Sequence, residues 1–420
     1  MIIPSIDLER GRTVQLIGGE ELAIDAGDPK PILDRFALAG EVAVVDLDAA
    51  KGEGSNAELM LELCGRARVR IGGGIRNLQT AQTWLNAGAS KIVIGTAATP
   101  ELLQQLPRER VIVALDSRDG EVVTHGWRNG TGRSVLDRVN QLQAYCGGFL
   151  ITFVEREGRL GGTDHDRAKD IVKAAANARV TIAGGVTTPE EVAALDAIGA
   201  DAQVGMALYA NKLSLADAIT APLTSDRSDG LWPTVIVDAR GVALGLAYSN
   251  RDSVRAAVDE RSGIYHSRKR GLWTKGQSSG ATQRLLAVDL DCDRDTLRFT
   301  VEQRGSGFCH LETRSCWGDD RGLSRLERRV TNRISNAPAG SNTARLLRDP
   351  ALLRSKLIEE AGELANAVTR AEVRHESADL LYFALVKSVA AGVSLAEVEA
   401  ELDMRERKVS RRSCEAKEQA

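Results

Sequence analysis

Residues 68–77 read RVRIGGGIRN and residues 179–188 read RVTIAGGVTT, so a β-branched run followed by glycines occurs twice in the first half of the chain. Six further runs of this kind, separated by helix-length segments, are MIIPSID (1–7), VAVVDLD (42–48), KIVIGT (91–96), RVIVALD (110–116), FLITFV (149–154) and AQVGMAL (202–208). Strands that alternate with helices imply right-handed crossovers and a parallel sheet. Eight of them predict a closed (β/α)8 barrel over residues 1–222, with an open doubly wound sheet as the alternative.

The composition limits the remaining possibilities. A chain of 420 residues corresponds to about three domains of roughly 150 residues each. The 43% hydrophobic and 27% charged residues are typical of globular proteins, and the net charge of -3 without a long basic run predicts no nucleic-acid partner. The absence of an apolar run of about 18 residues predicts no membrane partner and a cytoplasmic location.

The rest of the chain divides by pattern. Residues 223–230 are polar and end in glycine, which is typical of a linker. Strand-like runs such as TVIVDARG and TLRFTVEQ, with little helical pattern, predict a small β-rich domain over 231–320. Apolar residues at intervals of three to four then predict an all-α domain over 323–412.

Polar residues close several of the predicted barrel strands. Asp7 ends the first strand and Asp116 ends the fifth, and the carboxyl ends of barrel strands meet at one mouth. One carboxylate there can accept a proton while the other donates one, as an acid-base isomerase requires. The structural alternative is that each Asp only caps the helix that follows it.

Glycines follow four of the strands, in two groups that lie in opposite halves of the barrel. Exposed backbone N–H groups at such positions can bind phosphate, so the two groups predict a ligand with two phosphate ends. The alternative is that these glycines only make tight turns. The candidate residues are Gly73, Gly74, Gly95, Thr96, Gly184, Gly185 and Gly205.

The first 220 residues resemble the phosphoribosylformimino-aminoimidazole carboxamide ribotide isomerase family through IIPSIDLERGR, VVDLDAAKG, IGGGIRNL, LDSRDGEVVTHGW and AGGVTTPEE. The resemblance implies an Amadori rearrangement, with Asp7 as the base at sugar C2 and Asp116 as the acid that opens the ring. It also implies that Thr152 supports ring opening and that Trp127 covers the substrate.

The resemblance has two departures and one competitor. Phe153 stands where the family often has an acidic residue, and Gln15 stands where an arginine that contacts phosphate is usual, so weaker substrate binding is expected. The cyclase subunit of imidazole glycerol phosphate synthase shares the barrel and the two-phosphate ligand. The HGW segment and the absence of a glutaminase argue against that family.

The β-rich region concentrates metal-binding residue types. DLDCDRD (289–295) and FCHLETRSC (308–316) supply three thiols, Cys292, Cys309 and Cys316, which fit Zn²⁺. Three protein ligands leave a fourth position for water, which favours catalytic zinc, whereas a structural site completed by His310 is the alternative. The carboxylates fit a hard cation such as Mg²⁺, or else form a solvated edge. They are Asp291, Asp293 and Asp295.

Residues 231–318 resemble phosphoribosyl-AMP cyclohydrolase through IVDARG, LAYSN, YHSRKRGLWTKGQSSG, DLDCDRD and CHLETRSC. The resemblance implies zinc-assisted attack of water on C6 of an adenine ring, with His310 assisting proton transfer. It also implies a homodimer, because the family's zinc sites take cysteines from both subunits. Arg268 and Lys275 are candidate substrate contacts, although a basic loop is more often only solvated.

Acidic residues repeat at helical spacing in the last region. Carboxylates spaced i, i+3 on two helices can converge on Mg²⁺ bound to a polyphosphate, and the alternative is two acidic surface faces. The candidate ligands are Glu360, Glu363, Glu376 and Asp379.

Residues 323–410 resemble phosphoribosyl-ATP pyrophosphohydrolase, a MazG-like helical fold, through GSNTARLL, KLIEEAGEL and HESADLLYFALV. The resemblance implies magnesium-dependent cleavage between the α- and β-phosphates, with Arg345 and Lys356 as phosphate contacts.

Together the motifs predict three successive steps of histidine biosynthesis that act on phosphoribosyl nucleotides. The competing hypotheses are a noncatalytic barrel used for binding or dimerisation, and a general nucleotide pyrophosphatase.

Overall fold

The computed structural model describes residues 1–124, 126–318 and 321–410. The ends of two predicted domains, residues 319–320 and 411–412, lie outside this range. The first twelve strands are β1 (Ile2–Glu9), β2 (Arg12–Ile17), β3 (Glu21–Gly27), β4 (Val42–Asp46), β5 (Val69–Gly72), β6 (Lys91–Ile94), β7 (Val111–Arg118), β8 (Glu121–Thr124), β9 (Asn129–Ser134), β10 (Gly148–Phe153), β11 (Arg179–Ala183) and β12 (Ala200–Val204).

Eight of these strands form a closed parallel barrel in the order β10-β11-β12-β1-β4-β5-β6-β7, and β10 pairs with β7 to complete the ring. This closure confirms the predicted (β/α)8 barrel and excludes the open sheet. The other four strands, β2, β3, β8 and β9, extend β1 and β7 as antiparallel ribbons that the alternation of strands and helices did not predict.

Ten helices connect the barrel strands. N-cap side chains, one residue before the helix, define where several begin: Asn77 and Ser134 accept backbone N–H groups, and Thr188 forms a capping box with Glu191. The helices are α1 (Pro29–Phe36), α2 (Leu47–Lys51), α3 (Ala57–Arg66), α4 (Leu78–Asn86), α5 (Pro100–Leu103), α6 (Val135–Leu142), α7 (His165–Ala174), α8 (Pro189–Ala197), α9 (Met206–Tyr209) and α10 (Leu215–Thr220).

The β-rich region forms a four-stranded sheet in the order β14-β13-β18-β17 and a separate two-stranded ribbon. Its strands are β13 (Trp232–Asp238), β14 (Ala243–Ser249), β15 (Ile264–Ser267), β16 (Gly271–Thr274), β17 (Gln283–Leu290) and β18 (Leu297–Gln303). One helix, α11 (Arg251–Glu260), begins at a capping box formed by Asn250 and Ser253. The sequence had indicated little helix here.

The C-terminal region is all α, as predicted. Its helices are α12 (Gly322–Ser335), α13 (Asn342–Arg348), α14 (Pro350–Asn366), α15 (Arg370–Ala390) and α16 (Leu395–Arg407). They pack around buried apolar side chains that include Val330, Leu353 and Val386. No single helix of the described residues is long and apolar enough to cross a membrane; only α15 and α16 taken together, with a bend of 108° between them, meet that criterion.

The chain packs as two compact units. One comprises Met1–Gly305 with the residues from Arg407 onward, and the other comprises Ser306–Glu406. The barrel and the four-stranded sheet therefore belong to the first unit, and the segment that carries Cys309 and Cys316 packs with the helices of the second.

A buried ion network lies at the amino ends of the barrel strands. Glu41 accepts hydrogen bonds from Arg70, Lys91 and Ser90, and Arg70 also donates to the hydroxyl of Thr181 at 3.1 Å. Burial raises the pKa of Glu41, but the two cations outweigh it and lower the pKa to about 2. The carboxylate is therefore charged throughout the neutral range.

We expect Glu41→Ala to destabilise the barrel by about 3 to 5 kcal/mol, because it leaves the buried Arg70 guanidinium without its carboxylate. Calorimetric unfolding of the full chain measures the change. The control Glu20→Ala removes an exposed pair with Arg128 and should cost less than about 1 kcal/mol. Since the pKa of Glu41 is lowered in the fold, its contribution is complete above pH 4.5 and lost as pH falls toward 2. Equal effects of the two substitutions would contradict this account.

Candidate active sites

Asp116 and Thr152 lie side by side at the barrel mouth, because β7 and β10 pair in the register that sets them opposite each other. The carboxylate of Asp116 accepts hydrogen bonds from the hydroxyl of Thr152 and the indole of Trp127. Burial raises the pKa of Asp116, and these two hydrogen bonds partly offset the rise. The structure thus brings together three residues that the sequence assigned to one site.

Asp7 closes β1 at the same mouth. Burial raises its pKa to about 7, so the carboxyl group changes charge near neutral pH. The side-chain amide of Gln15 lies 3.5 Å from Asp7 Oδ2 and donates to the Val14 carbonyl at 2.8 Å. The departure at Gln15 therefore lies beside the predicted base.

Glu157 is a third acidic residue at the mouth, and sequence reasoning missed it. Its pKa is raised to about 7, first by burial and then by repulsion from Asp7 and Asp116. It follows β10 in the loop that begins with Val154, and a carboxylate just beyond a barrel strand is the signal that could have identified it. The mouth therefore holds three carboxyl groups, of which Glu157 is repelled by the other two.

The loop that carries Glu157 and the segment that carries Trp127 both contact the β2–β3 ribbon beside these groups. Gly158 lies against the end of β2, where an added Cβ would be 2.7 Å from the Leu16 carbonyl oxygen, and the Gly18 N–H donates to the Glu157 carbonyl at 3.4 Å. Gly19 packs on the Trp127 ring, where an added Cβ would be 2.7 Å from the ring. The turn between β2 and β3 thus contacts both the backbone of Glu157 and the ring of Trp127.

The paired glycines make close backbone contacts in both halves of the barrel. Gly73 has φ +95° and an added Cβ would lie 2.2 Å from the Asp46 carbonyl oxygen; Gly184 has φ +94° and would meet the Phe153 carbonyl oxygen at 2.5 Å. Gly74 and Gly185 are similarly confined. The close packing is enough to explain why these four positions are glycine. Phosphate binding there therefore stays a prediction.

The remaining barrel candidates differ in exposure. Gly95 and Thr96 are exposed beyond β6. Gly205 lies against Gln15, whose Oε1 would be 2.5 Å from an added Cβ. Phe153 is fully buried, and since neighbouring residues of a strand face opposite sides, it points away from the face that presents Thr152. The weaker substrate binding expected from the departure at Phe153 stays a prediction.

We expect Asp7→Asn to stabilise the protein by on the order of 1 to 3 kcal/mol at pH 8, since it removes a half-buried, desolvated carboxylate that is ionised there. The pKa of Asp7 is raised in the fold, so the benefit should shrink as pH falls from 7 toward 4. Thermal melting across this pH range measures it. The control Asp25→Asn breaks an exposed pair with Arg12 and should give no gain. A less stable Asp7→Asn protein at pH 8 would refute the raised pKa assigned to Asp7.

The predicted magnesium loop of the β-rich region is assembled. Oxygen atoms of Asp291, Asp293 and Asp295 lie within 4.8 Å of one another. Asp291 Oδ1 accepts the N–H groups of Asp295 and Thr296 at 3.0 and 3.1 Å, and these bonds lower its pKa although burial raises it. Three carboxylates gathered in this way suit a hard cation. Cys292 is exposed in the same loop.

Cys309 and Cys316 belong to the second compact unit, while Cys292 belongs to the first. The Leu311 N–H and the Thr313 hydroxyl lower the pKa of the Cys309 thiol. Zinc binds the thiolate form of cysteine, and a lowered pKa favours that form. His310 Nδ1 lies 3.9 Å from Cys309 Sγ. The chemistry of this segment fits the predicted metal, and its ligation together with Cys292 stays a prediction.

The two candidate substrate contacts of the β-rich region have structural partners. The guanidinium of Arg268 stacks over the Tyr248 ring at 4.9 Å. Lys275 is buried and donates to the Ala281 carbonyl at 3.2 Å. Both contacts support the fold of the loop, so substrate binding by these residues stays a prediction.

In the helical region, α14 and α15 bring together oxygen atoms of Glu360, Glu363 and Glu376 within 4.8 Å of one another. Asp379 lies one turn further along α15, and its Oδ2 is 3.5 Å from His375 Nε2. Lys356 Nζ lies 2.7 Å from Glu359 and 3.3 Å from Glu360.

Arg345, the other predicted phosphate contact, is exposed on α13. Glu360 is 6% exposed, which sets it apart from an ordinary acidic surface residue. The arrangement therefore favours the predicted cation over two independent acidic faces.

We expect Glu363→Gln to weaken divalent-cation binding to the helical region by roughly 10-fold or more, because one of three converging carboxylates loses its charge. Isothermal titration of the purified chain with Mg²⁺ measures this. Glu359→Gln is the matched control on the same helix, since Glu359 pairs with Lys356 outside the cluster. Comparable losses for both variants would show that no specific site exists.

A closed (β/α)8 barrel with acidic groups at the carboxyl ends of its strands is the arrangement of barrel enzymes. A family model described as "Histidine biosynthesis protein" matches residues 1–214, and the chain belongs to this family. Models described as "Phosphoribosyl-AMP cyclohydrolase" and "Phosphoribosyl-ATP pyrophosphohydrolase" match residues 245–318 and 323–406. The predicted order of three regions is confirmed, and the last two families are typically metal-dependent.

Curated relatives agree with these matches. The histidine biosynthesis bifunctional protein of Schizosaccharomyces pombe is 52% identical over 206 residues, which are 49% of each chain. The histidine biosynthesis trifunctional protein of Komagataella pastoris is 36% identical over 337 residues, 79% of this chain and 37% of the relative. An imidazole-4-carboxamide isomerase of Myxococcus xanthus is 38% identical over 226 residues, 50% of this chain and 94% of the relative. The chain thus spans about half or less of the two multifunctional relatives.

Proposed function

We propose that this chain catalyses three successive steps of histidine biosynthesis: phosphoribosyl-ATP loses pyrophosphate, the adenine ring is opened by hydrolysis, and the resulting aminoaldose is isomerised to a ketose. The observation that carries the proposal is the assembly of Asp7, Asp116 and Thr152 at one barrel mouth in a chain whose other two regions match the cyclohydrolase and pyrophosphohydrolase families.

The buried acids favour a catalytic barrel over a noncatalytic one. Their raised pKa values mean that the ionised carboxylates destabilise the fold, and groups that do so persist where function needs them. The similarity to an isomerase over 94% of that relative's length also favours a catalytic barrel.

In the isomerisation, Asp116 donates a proton to the ring oxygen of the aminoaldose as the C1–O bond breaks and a C1–N double bond forms. Asp7 then removes the proton from C2 to give an enolamine, which becomes the ketose as C1 gains a proton and the C2 hydroxyl loses one. Thr152 and Trp127 hold the Asp116 carboxyl group in place through the hydrogen bonds that it accepts. Trp127 and the ribbon above it exclude water from the reacting sugar. The two glycine groups bind the phosphate ends of the substrate.

The hydrolytic steps need metals that the proposed ligands can hold. Cys292, Cys309 and Cys316 would bind Zn²⁺, which lowers the pKa of water toward neutrality, and His310 would carry the proton. Mg²⁺ would be held in two places, by the carboxylates of residues 291–295 and by those of α14 and α15, where it neutralises polyphosphate charge. The second group comprises Glu360, Glu363, Glu376 and Asp379.

Further proposals concern assembly and substrate contacts. We propose domain boundaries at 1–222, 231–320 and 323–412, a homodimer formed through the cyclohydrolase domain, and a cytoplasmic location that keeps the zinc thiols reduced. Arg268 and Lys275 would contact phosphoribosyl-AMP, the nucleotide whose adenine ring is opened. Arg345 and Lys356 would contact the triphosphate of phosphoribosyl-ATP.

We expect the isomerisation rate to rise with pH through about 7, because Asp7 must be unprotonated to act as the base. Rates measured with the purified aldose between pH 5 and 9 provide the profile. Asp7→Asn should lower kcat by roughly 10²- to 10⁴-fold while the rate of phosphoribosyl-ATP consumption is unchanged. An Asp7→Asn enzyme that still isomerises at the normal rate would remove Asp7 from the mechanism.

A further inference from the structure

The loop of residues 291–295 contains one residue that points away from its carboxylates. Arg294 lies between Asp293 and Asp295 and has φ +65°, a left-handed conformation that is strained for a residue with a side chain. Its Nη1 donates to the carbonyl oxygen of Asp291 in the same loop. The Arg294 side chain therefore supports the backbone from which the predicted metal ligands project.

The other donors of Arg294 reach the barrel. Nε and Nη2 donate to the two carboxylate oxygens of Asp196, on α8, at 2.9 and 3.0 Å. A bidentate pair of this kind fixes both distance and orientation. The two side chains are 20% and 11% exposed, so the pair is largely shielded from solvent. One carboxylate of the barrel thus bonds directly to the metal-binding loop.

A second contact binds the same point of the loop. The N–H of Thr224, in the linker after the barrel, donates to the carbonyl oxygen of Arg294 at 2.8 Å, and the Thr224 hydroxyl lies 3.3 Å from that oxygen. Asp196 also accepts the amino group of Met1 at 2.9 Å. Both the backbone and the side chain of Arg294 are therefore held by residues outside the β-rich region.

We propose that Asp196 of the barrel acts through Arg294 to position the metal-binding loop of the cyclohydrolase region, a role that rests on the proposed function. Three adjacent carboxylates repel one another before a cation binds. Contacts that hold the loop in its ligating shape reduce the ordering that binding must supply. The barrel thereby serves the second reaction as well as its own.

A similar contact elsewhere provides the control. Asp217 on α10 accepts from Arg255 on α11 at 2.8 and 3.0 Å, so it also connects the barrel to the β-rich region. Neither residue carries or adjoins a predicted metal ligand. Removal of this pair tests what loss of a salt bridge between the two regions does by itself.

The test uses the full chain with Asp196→Ala or Asp217→Ala, each on a Glu363→Gln background that weakens the helical cation site. Hydrogen exchange of metal-free protein, followed by mass spectrometry over residues 288–298, reports the order of the loop. Mn²⁺ binding, followed by electron paramagnetic resonance, reports its affinity.

Asp196→Ala should accelerate exchange of the Asp295 and Thr296 amides and weaken Mn²⁺ binding by roughly 10- to 100-fold. Asp217→Ala should leave both unchanged. Equal effects of the two variants, or none from Asp196→Ala, would overturn the proposal. If the Glu363→Gln background itself binds no Mn²⁺ at this loop, the magnesium assignment fails, and the exchange rates still decide whether Asp196 orders the loop.

Arg294→Asn provides an independent check that does not disturb Met1, since asparagine tolerates the left-handed backbone. If Asp196 acts through Arg294, the double variant should bind Mn²⁺ no more weakly than the weaker single variant. Additive losses would show that Asp196 affects the loop by another route and would overturn the proposal.

Discussion

The pairing of β10 with β7 is the constraint on which the rest of the barrel depends. It closes the ring in the register that sets Thr152 beside Asp116, and closure in turn fixes Asp7 on β1 at the same mouth. In an open parallel sheet the carboxyl ends of the first and fifth strands would lie along one edge with three strands between them, rather than around a common mouth. The turn between β2 and β3 contacts the loop that carries Glu157 and the ring of Trp127, and desolvation at the mouth raises the pKa values of Asp7, Asp116 and Glu157.

The pKa values of acidic residues shift in opposite directions at the two ends of the barrel. At the amino ends of the strands, Glu41 is buried with Arg70 and Lys91, and its pKa falls to about 2. At the carboxyl ends, burial alone raises the pKa of Asp7 to about 7, and repulsion adds to burial at Glu157. Burial with cations gives a permanent charge that stabilises structure, whereas burial among other acids gives groups that exchange protons near neutral pH.

Much of the fold was predictable because the barrel strands are buried on both faces and therefore appear as continuous β-branched runs. The ribbons of β2–β3 and β8–β9 escaped prediction because β3 and β9 are largely exposed, as in β9, which reads NGTGRS, and because β2 and β8 bury only short runs of three and two residues. Helix α11 was missed although Asn250 and Ser253 provide a capping box.

The sites were predictable where their residues follow a local pattern. Glu157 lies just beyond a barrel strand, but so does Glu155, which pairs with Arg167, and the sequence does not distinguish the two. The packing of Gly158 against β2 helps to set the place of Glu157 at the mouth. Asp379 has the spacing of a metal ligand, yet the structure gathers only Glu360, Glu363 and Glu376 within one cluster. Spacing along one helix cannot show which carboxylates converge across two.

We infer that one chain carries a reactant through three sites of different chemistry. The most direct measurement is to incubate the purified protein with phosphoribosyl-ATP, Mg²⁺ and Zn²⁺ and to separate the products chromatographically, since the aldose and ketose have equal mass. The account predicts that the ketose accumulates. Arrest at the ring-opened aldose would contradict it and would leave the barrel as a noncatalytic module.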